Sequence, residues 1–431
     1  DQVGPTRVPA AGTIAGIQNQ PQREIPQAFI MGQNFERALG SGGLLSGMNL
    51  KVSGYSVLFN IELKSGSKYG AGQDRAYRYG WGRQNWFDNQ RREHLAVRDA
   101  VGLFDMTSFG KIRVEGREAC ALLNRLCANQ IDVAPGRVVY TQMLNERGGI
   151  ESDLTVTRLS ETAFLLVVPG ATLQRDLAWL RRHQGDRAVA IIDMTAAEAV
   201  FCVMGPKSRD LMSAVSPDDL SHKGFGYATA REIEIGLGIA RAHRISYVGE
   251  LGWELYVSTD MAAHVFETLR DAGADHGLKL CGLHTLDSCR IEKAYRHFGH
   301  DITDEDHVLE AGLGFAVKTA KPDFIGRDAV LRKQDQGLGR MMLQFQLEDP
   351  APLLFHNEAI LRDGKIVGPV TSGNYGHALG GAIGMGYVPC ADQTAEDVLA
   401  SRYEIDVAGV RHKARASLTP LYDPKAERVR M

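Results

Sequence analysis

Apolar and polar positions follow regular periods through most of this chain, but not at its start. Residues 1–45 are rich in Gly, Pro and Gln and carry no period; they predict an irregular arm. Residues 46–90 are mixed, with SGYSVLFNIEL predicting one strand before a Gly-rich run. From Arg92, REHLAVRDAVGLF shows helical spacing through Leu95, Val97 and Val101. KIRVEG alternates like a strand, and REACALLNRLCA predicts an amphipathic helix with Ala119, Leu122, Leu123 and Leu126 on one face. VVYTQMLN, GIESDLTV and AFLLVVPG predict three strands, followed by a helix over ATLQRDLAWLRRH with Thr172 at its N-cap.

A second series of the same kind follows. AVFCVMG predicts a strand, and GPKSRDLMSAV a helix with Pro206 in its first turn. RAHRISYVGELGWELYVS predicts a hairpin around GELG, and MAAHVFETLRDAGADHG and CGLHTLDSCRIEKAY predict helices. This order of elements implies antiparallel sheets with helices packed on them, an α+β class. From about Arg340 the helical periods stop. MMLQFQL, EAILRDGKIVGPVTSG, GAIGMGYV and ASRYEIDVAGVRHKARA predict short strands with Gly turns, a separate all-β unit. The expected division is an arm and linker over 1–85, an α+β part over 86–335, and an all-β unit over 336–431.

Within GIESDLTV, strand alternation places Glu151, Asp153 and Thr155 on one face and Ile150, Ser152, Leu154 and Val156 on the other. Two acids at the mouth of a β-branched strand are either a wet face or a carboxylate held for chemistry. Composition narrows the remaining options. Charged residues are 23% and apolar residues 44% of 431, and the net charge of −3 supplies no pull toward nucleic acid or a membrane surface. No apolar run reaches the length of a membrane span. The six cysteines form no CxxC, which suits neither a zinc site nor a disulfide framework. Scattered thiols point to a reducing compartment, the cytoplasm or the mitochondrial matrix. There is no GxGxxG between strand and helix, no P-loop, no HExxH and no GxSxG. His297 and His300 flank a glycine without an accompanying acid or thiol set, so no metal is expected.

Several stretches taken in order carry more information than any one motif. FDMTSFGKIRVEG, VVYTQMLNERGGIESDLTV, RISYVGELGWELYV, RIEKAYRHFGHDI, LEAGLGFAVK, DFIGRDAV and VTSGNYGHALGGAIGMGYV together resemble the aminomethyltransferase (glycine-cleavage T-protein) family, over roughly residues 90–425. The likeness is greatest to the folate-binding C-terminal half of dimethylglycine and sarcosine dehydrogenases, in which a motif like YGWGRQNWF leads from a flavin half into the folate half. Residues 1–45 do not match that flavin half.

The resemblance implies three lobes around a central hole, two of them α+β and the third a small β-barrel, with tetrahydrofolate in the hole. It implies Asp153 as the carboxylate at the reactive edge of the cofactor, with Glu151 as the wet acid of the pair. It implies Glu254 as the acid that grips the pterin, whose N–H and NH2 lie side by side and suit a bidentate acceptor. Arg290 and Tyr140 are implied as further cofactor-binding residues, with Tyr295 and His300 as weaker ones because the loop KAYRHFGHD varies from the family's commoner forms. Each residue has a plain alternative: an exposed strand acid for Glu254, a salt bridge to Asp287 or Glu292 for Arg290, a core tyrosine for Tyr140.

Three functions follow. The first is tetrahydrofolate-dependent transfer of a one-carbon unit from an N-methyl amine, by way of formaldehyde or an iminium, to give 5,10-methylenetetrahydrofolate, with oxidation done by a flavoprotein partner or module. The second is a stand-alone demethylase of a small N-, O- or S-methyl compound. The third is a non-catalytic scaffold of the same fold.

Overall fold

The structure, a computed structural model, describes residues 82–431. The arm and the SGYSVLFNIEL strand lie outside the described residues. Helix α1 (Phe87–Asp99) leads directly into β1 (Val101–Asp105). The helical spacing from Arg92 therefore stops earlier than the pattern predicts. Val101–Asp105 is a continuous buried run, and such a run has no period that separates strand from helix. Gly102 marks the change, since a Cβ there would collide with Val97 of the helix and with Cys281.

β1 lies inside a six-stranded sheet with β7 (Glu198–Met204), β8 (Ala230–Ile235), β9 (Gly238–His243), β10 (Gly252–Ser258) and β11 (Leu278–Cys281). The order is β11-β1-β7-β10-β9-β8, and only β1 with β11 is parallel. A second sheet holds β2 (Gly110–Glu115), β3 (Val138–Leu144), β4 (Ile150–Arg158), β5 (Ala163–Val168) and β6 (Ala190–Asp193), in the order β3-β4-β5-β2-β6. β6 and β11 are short edge strands that periodicity does not announce, and β8 is an edge strand whose alternating REIEI the predicted elements pass over.

Helices cover the outer face of each sheet. α2 (Ala119–Leu126) and α3 (Leu173–Gln184) pack on Ile112, Leu154, Val156, Phe164 and Leu166 of the second sheet. α4 (Ser208–Val215) and α5 (Ala262–Gly273) pack on Leu103, Phe201, Val203, Trp253 and Leu255 of the first. Thr172 immediately precedes α3 but does not cap it; its hydroxyl donates to Pro169 O at 3.0 Å and to Asp176 at 2.7 Å. Pro206 sits two residues ahead of α4.

The inner faces of the two sheets meet in a third cluster: Leu165 and Val167 from β5 against Val200, Cys202 and Met204 from β7 and Tyr256 from β10. This contact matters most for function, because register places Asp153 and Glu254 on these same inner faces. Thr155 pairs with Val167 on the second sheet, and Glu254 pairs with Cys202 on the first. Backbone bonds stitch the two sheets together at one end, Val138 N to Ala228 O at 3.0 Å and Ala230 N to Gly136 O at 2.7 Å.

α6 (Leu283–Glu292) is buried on almost every side, which accounts for its lack of an apolar face. α1 is fastened to it by a buried charge network, with Glu292 accepting from Arg98 at 2.8 Å and His94 within 3.1 Å of Glu292. After α7 (Arg327–Gln336), six strands close a barrel: β12 (Arg340–Leu347), β13 (Ala359–Arg362), β14 (Lys365–Gly376), β15 (Gly381–Pro389), β16 (Tyr403–Val407) and β17 (Val410–Ser417), in the order β12-β15-β14-β13-β16-β17. The expected α+β fold with a C-terminal β-barrel is what the structure shows.

Candidate active site

β4 begins after the turn NERGG. Asn145 organises it: its side-chain oxygen accepts from Gly149 N at 3.0 Å, and its amide donates to Asp304 O at 2.9 Å. A Cβ on Gly149 would run into that same Asp304 carbonyl, so the close approach needs glycine. From there the strand alternates as predicted, with Ile150, Ser152, Leu154 and Val156 buried on the helix side. Glu151 is not simply wet. It accepts from Arg175 at 2.6 Å and is 14% exposed.

Asp153 points into the space between the sheets. Gln142 lies directly opposite it on β3 and donates Nε2–H to Asp153 Oδ1 at 2.8 Å. Tyr140, two residues earlier on the same face, donates its hydroxyl to the same carboxylate. Burial pushes the Asp153 carboxyl up to about 6; the hydrogen bonds from Tyr140 and Gln142 and the charge of Arg296 hold it back from going higher. Asp153 keeps part of its surface open, so it lines a recess and is not sealed in the core.

Glu254 faces it from β10. It is 6% exposed, so the exposed-acid alternative does not hold. Its one short hydrogen bond comes from the Tyr256 hydroxyl at 2.8 Å. Burial pushes the Glu254 carboxyl up to about 7, opposed only by that bond. His243, its cross-strand partner, is fully buried and held well below its usual range by burial and by Arg241, so it brings no positive charge to Glu254. Among the described residues neither Asp153 nor Glu254 forms an ion pair, although both are surrounded by protein.

Arg290 is the opposite case. Its Nε donates to Asp287 at 2.7 Å, its Nη1 to Tyr295 O at 3.1 Å and Asp301 at 2.8 Å, and its Nη2 to Ser372 at 3.0 Å; Nη2 is also in ion-pair contact with Asp287 at 2.6 Å. Four of its five N–H donors are engaged in hydrogen bonds, and two carboxylates balance its charge. The guanidinium ties α6 to the barrel strand β14 and, through Asp301, to the loop that follows it. Of the two salt-bridge partners expected, Asp287 is one and Glu292 is not.

Tyr295 stacks on Tyr247 with ring centroids 5.9 Å apart, and the Tyr247 hydroxyl donates to Arg296 O at 2.7 Å. Tyr247 senses the charges of Asp153, Asp287 and Asp301, which places this aromatic pair beside the recess. Tyr140 extends the wall, with Phe315 stacked 6.1 Å away and 67% exposed. His300 stands apart on the surface beside His297 and His356. No group of His, Cys, Asp and Glu among the described residues has metal-binding geometry. No helix among them is long and apolar enough to cross a membrane.

Of the residues predicted from sequence, Asp153 and Tyr140 are in direct contact, Tyr295 lies nearby, Glu254 stands on the facing sheet, and Arg290 braces the frame. Gln142, Tyr256, Tyr247 and Arg296 were not anticipated. Period two could have revealed Gln142 and Tyr256, which share a face with Tyr140 and Glu254. Tyr247 and Arg296 lie on irregular segments that carry no such signal.

Comparison with known proteins supplies a frame for this geometry. A family model described as the GCVT N-terminal domain matches residues 62–321, and one described as the glycine cleavage T-protein C-terminal barrel domain matches residues 340–423. The chain is 44% identical over 365 residues to 4-methylaminobutanoate oxidase (formaldehyde-forming) of Paenarthrobacter nicotinovorans, covering 84% of this chain and 44% of that protein. It is 35% identical to the mitochondrial sarcosine dehydrogenase of Homo sapiens, covering 80% and 39%. It is 36% identical to an aminomethyltransferase of Halothermothrix orenii, covering 72% and 86%. The chain thus spans less than half the length of the two oxidising relatives. In fold it matches the glycine cleavage system aminomethyltransferase T of Bartonella henselae, with a TM-score of 0.73 over 85% of this chain, at 24% identity.

Proposed function

Because the chain belongs to the glycine-cleavage T-protein family, we propose that it performs tetrahydrofolate-dependent transfer of a one-carbon unit released from an N-methyl amine, with the oxidation carried out by a separate flavin module. The observation that carries this reading is the pair of carboxylates on facing sheets. A buried carboxylate without a cation is expensive for a fold to keep, and such groups concentrate where they do chemistry. A scaffold would gain stability by replacing both, which argues against the non-catalytic reading.

The recess suits a reduced folate. Glu254 has one oxygen engaged by Tyr256 and, among the described residues, no hydrogen bond to the other, so it can accept the adjacent N–H groups of a pterin edge. Tyr140, Tyr247, Tyr295 and Phe315 offer flat walls to aromatic rings. When bound, tetrahydrofolate supplies the pair of amine nitrogens that takes up the one-carbon unit. The protein does the rest. Glu254 orients the ring. Asp153, fixed by Tyr140 and Gln142, holds an N–H or a proton at the opposite sheet and stabilises positive charge arising near it. The enclosing sheets and barrel keep water from the electrophilic carbon donor. Tetrahydrofolate-dependent demethylation by this chain alone is the second reading, favoured by the 86% coverage of an aminomethyltransferase relative.

Calorimetric titration with tetrahydrofolate tests the site. Binding that collapses in Glu254→Ala and persists in Asp153→Asn supports it, and no binding by the intact protein overturns it. Turnover with an N-methyl amine, with and without added flavoprotein, then separates the two readings.

A further inference from the structure

Gln142 is fully buried, yet its side chain is only half satisfied. Nε2 donates to Asp153 Oδ1 at 2.8 Å, while Oε1 has no hydrogen-bond partner among the described residues. An orphaned buried carbonyl oxygen is costly, and a leucine would fill the same volume without that cost. The other side-chain partner of Asp153 is the Tyr140 hydroxyl, which can donate or accept. The nearest cation, Arg296, stands beyond ion-pair distance and is occupied by the carbonyls of Ala294 and Ala311 at 2.6 and 3.0 Å. The ionisable groups facing Asp153 are thus Tyr140 from β3, Arg296 from the segment after α6, and Tyr247 from the loop before β10. Thr155, next on the same face of β4, and Val167 of β5 bring no charge.

We propose that Gln142 is a positioning residue that lets Asp153 take up and release a proton without moving, its amide presenting Nε2–H to the carboxylate and, after a half-turn, Oε1 to the carboxylic acid. In the ionised state Asp153 accepts from Nε2. In the protonated state the new O–H needs an acceptor, and the orphaned Oε1 supplies one. The terminal amide torsion is soft, so the half-turn needs no shift of backbone or of the rest of the side chain. An arginine or lysine at this position could serve only the ionised state, and a leucine would serve neither. This deepens the one-carbon reading and rests on it for what the proton is used for; the exchange itself belongs to the ligand-free protein.

The test is a titration of the Asp153 carboxyl by carbon-13 NMR in ligand-free protein labelled at aspartate, with Asp153→Asn to assign the signal. The intact protein should titrate near 6. Gln142→Leu removes both the charge-assisted bond to the ionised form and the weaker neutral bond to the protonated form, so the midpoint should rise by their difference, about one pH unit. Gln142→Glu keeps the shape and should replace the single step by two coupled steps of a facing carboxylate pair. An unmoved midpoint in folded Gln142→Leu overturns the proposal. If that variant does not fold, a single unshifted step in Gln142→Glu does so. Calorimetry on the same samples keeps the readings separate. Tetrahydrofolate binding with an unmoved titration removes only the role of Gln142, while a shifted titration without binding removes the folate reading and leaves the proton-holding pair.

Discussion

If the Glu254 carboxylate accepts two N–H groups from a pterin, only its ionised form can bind. Its carboxyl titrates at about 7 in the ligand-free protein, so near neutrality a large share of molecules carries the proton and is not competent. Apparent affinity scales with the competent fraction, so binding at pH 6 should be about tenfold weaker than at pH 8. The proton must leave on binding. Calorimetry in two buffers of different ionisation enthalpy should count about 0.9 proton released at pH 6 and about 0.1 at pH 8. Glu254→Gln should flatten the dependence and weaken binding at pH 8 about 30-fold, the loss of roughly 2 kcal/mol for one charge-assisted acceptor. Asp153→Asn should keep the slope, because Asp153 titrates about one unit lower. Equal affinity at pH 6 and pH 8 with no proton release would refute the assignment of Glu254 as the ring-gripping acid, whatever the effect of Glu254→Gln.

The same carboxyl governs stability. A carboxyl raised from 4.5 to about 7 favours the fold below 4.5, and that contribution is lost as pH rises through 7, a penalty of roughly 3 kcal/mol above it. Ligand-free Glu254→Gln should therefore melt higher than the intact protein at pH 8, with the gain shrinking steeply toward pH 5; calorimetric melting at the two pH values checks it. Tyr256→Phe removes the one donor to Glu254, so its folate affinity should fall at pH 7 and recover at pH 9, read by the same titrations. Arg290→Met leaves the buried Asp301 and the partly exposed Asp287 without their cation and should cost about 3 kcal/mol in urea unfolding, a loss of fold and not of affinity alone. Gly149→Ala drives a methyl group into the Asp304 carbonyl, so it should lower the melting temperature and, by shifting the start of β4, weaken the Asp153 contacts seen by NMR.

Much of this fold was legible because its main strands are half-buried and its packing helices amphipathic. β4 announces itself by period two, β5 by a short apolar run, the barrel strands by their Gly turns, and α2, α3 and α5 by an apolar stripe. β1 was read as helix because burial on both faces erases the period, and α6, though predicted as a helix, shows no apolar stripe because it is enclosed on every side. The site was legible to the extent that it lies on strands. Alternation placed Asp153 on the face away from Leu154, and register then brings Gln142 against it. Which faces of which sheets would meet is set by tertiary packing through Leu165, Val167, Cys202 and Tyr256, and no local pattern carries that. Arg296 and Tyr247 lie on loops for the same reason.

What separates the working residues from the bracing ones is satisfaction of charge, not burial. Arg290, Asp153 and Glu254 all sit where solvent is largely excluded, and all three were predicted for the site. Arg290 makes four hydrogen bonds from its five donors, with two carboxylates to balance it. Its charge is balanced and most of its donors are spent on the protein, so its removal damages the frame. Asp153 and Glu254 have neutral partners only, the amide and hydroxyls of Gln142, Tyr140 and Tyr256. Neutral partners fix a carboxylate in place without fixing its charge. That leaves the two acids about one unit apart, at about 6 and about 7, where a proton or an N–H donor can change their state, one on each of the facing sheets. A fold that needed only stability would have closed both with an arginine or replaced both with leucine. The deficit of positive charge around these two acids, more than the acids themselves, is the feature of this structure that calls for a ligand rich in N–H donors.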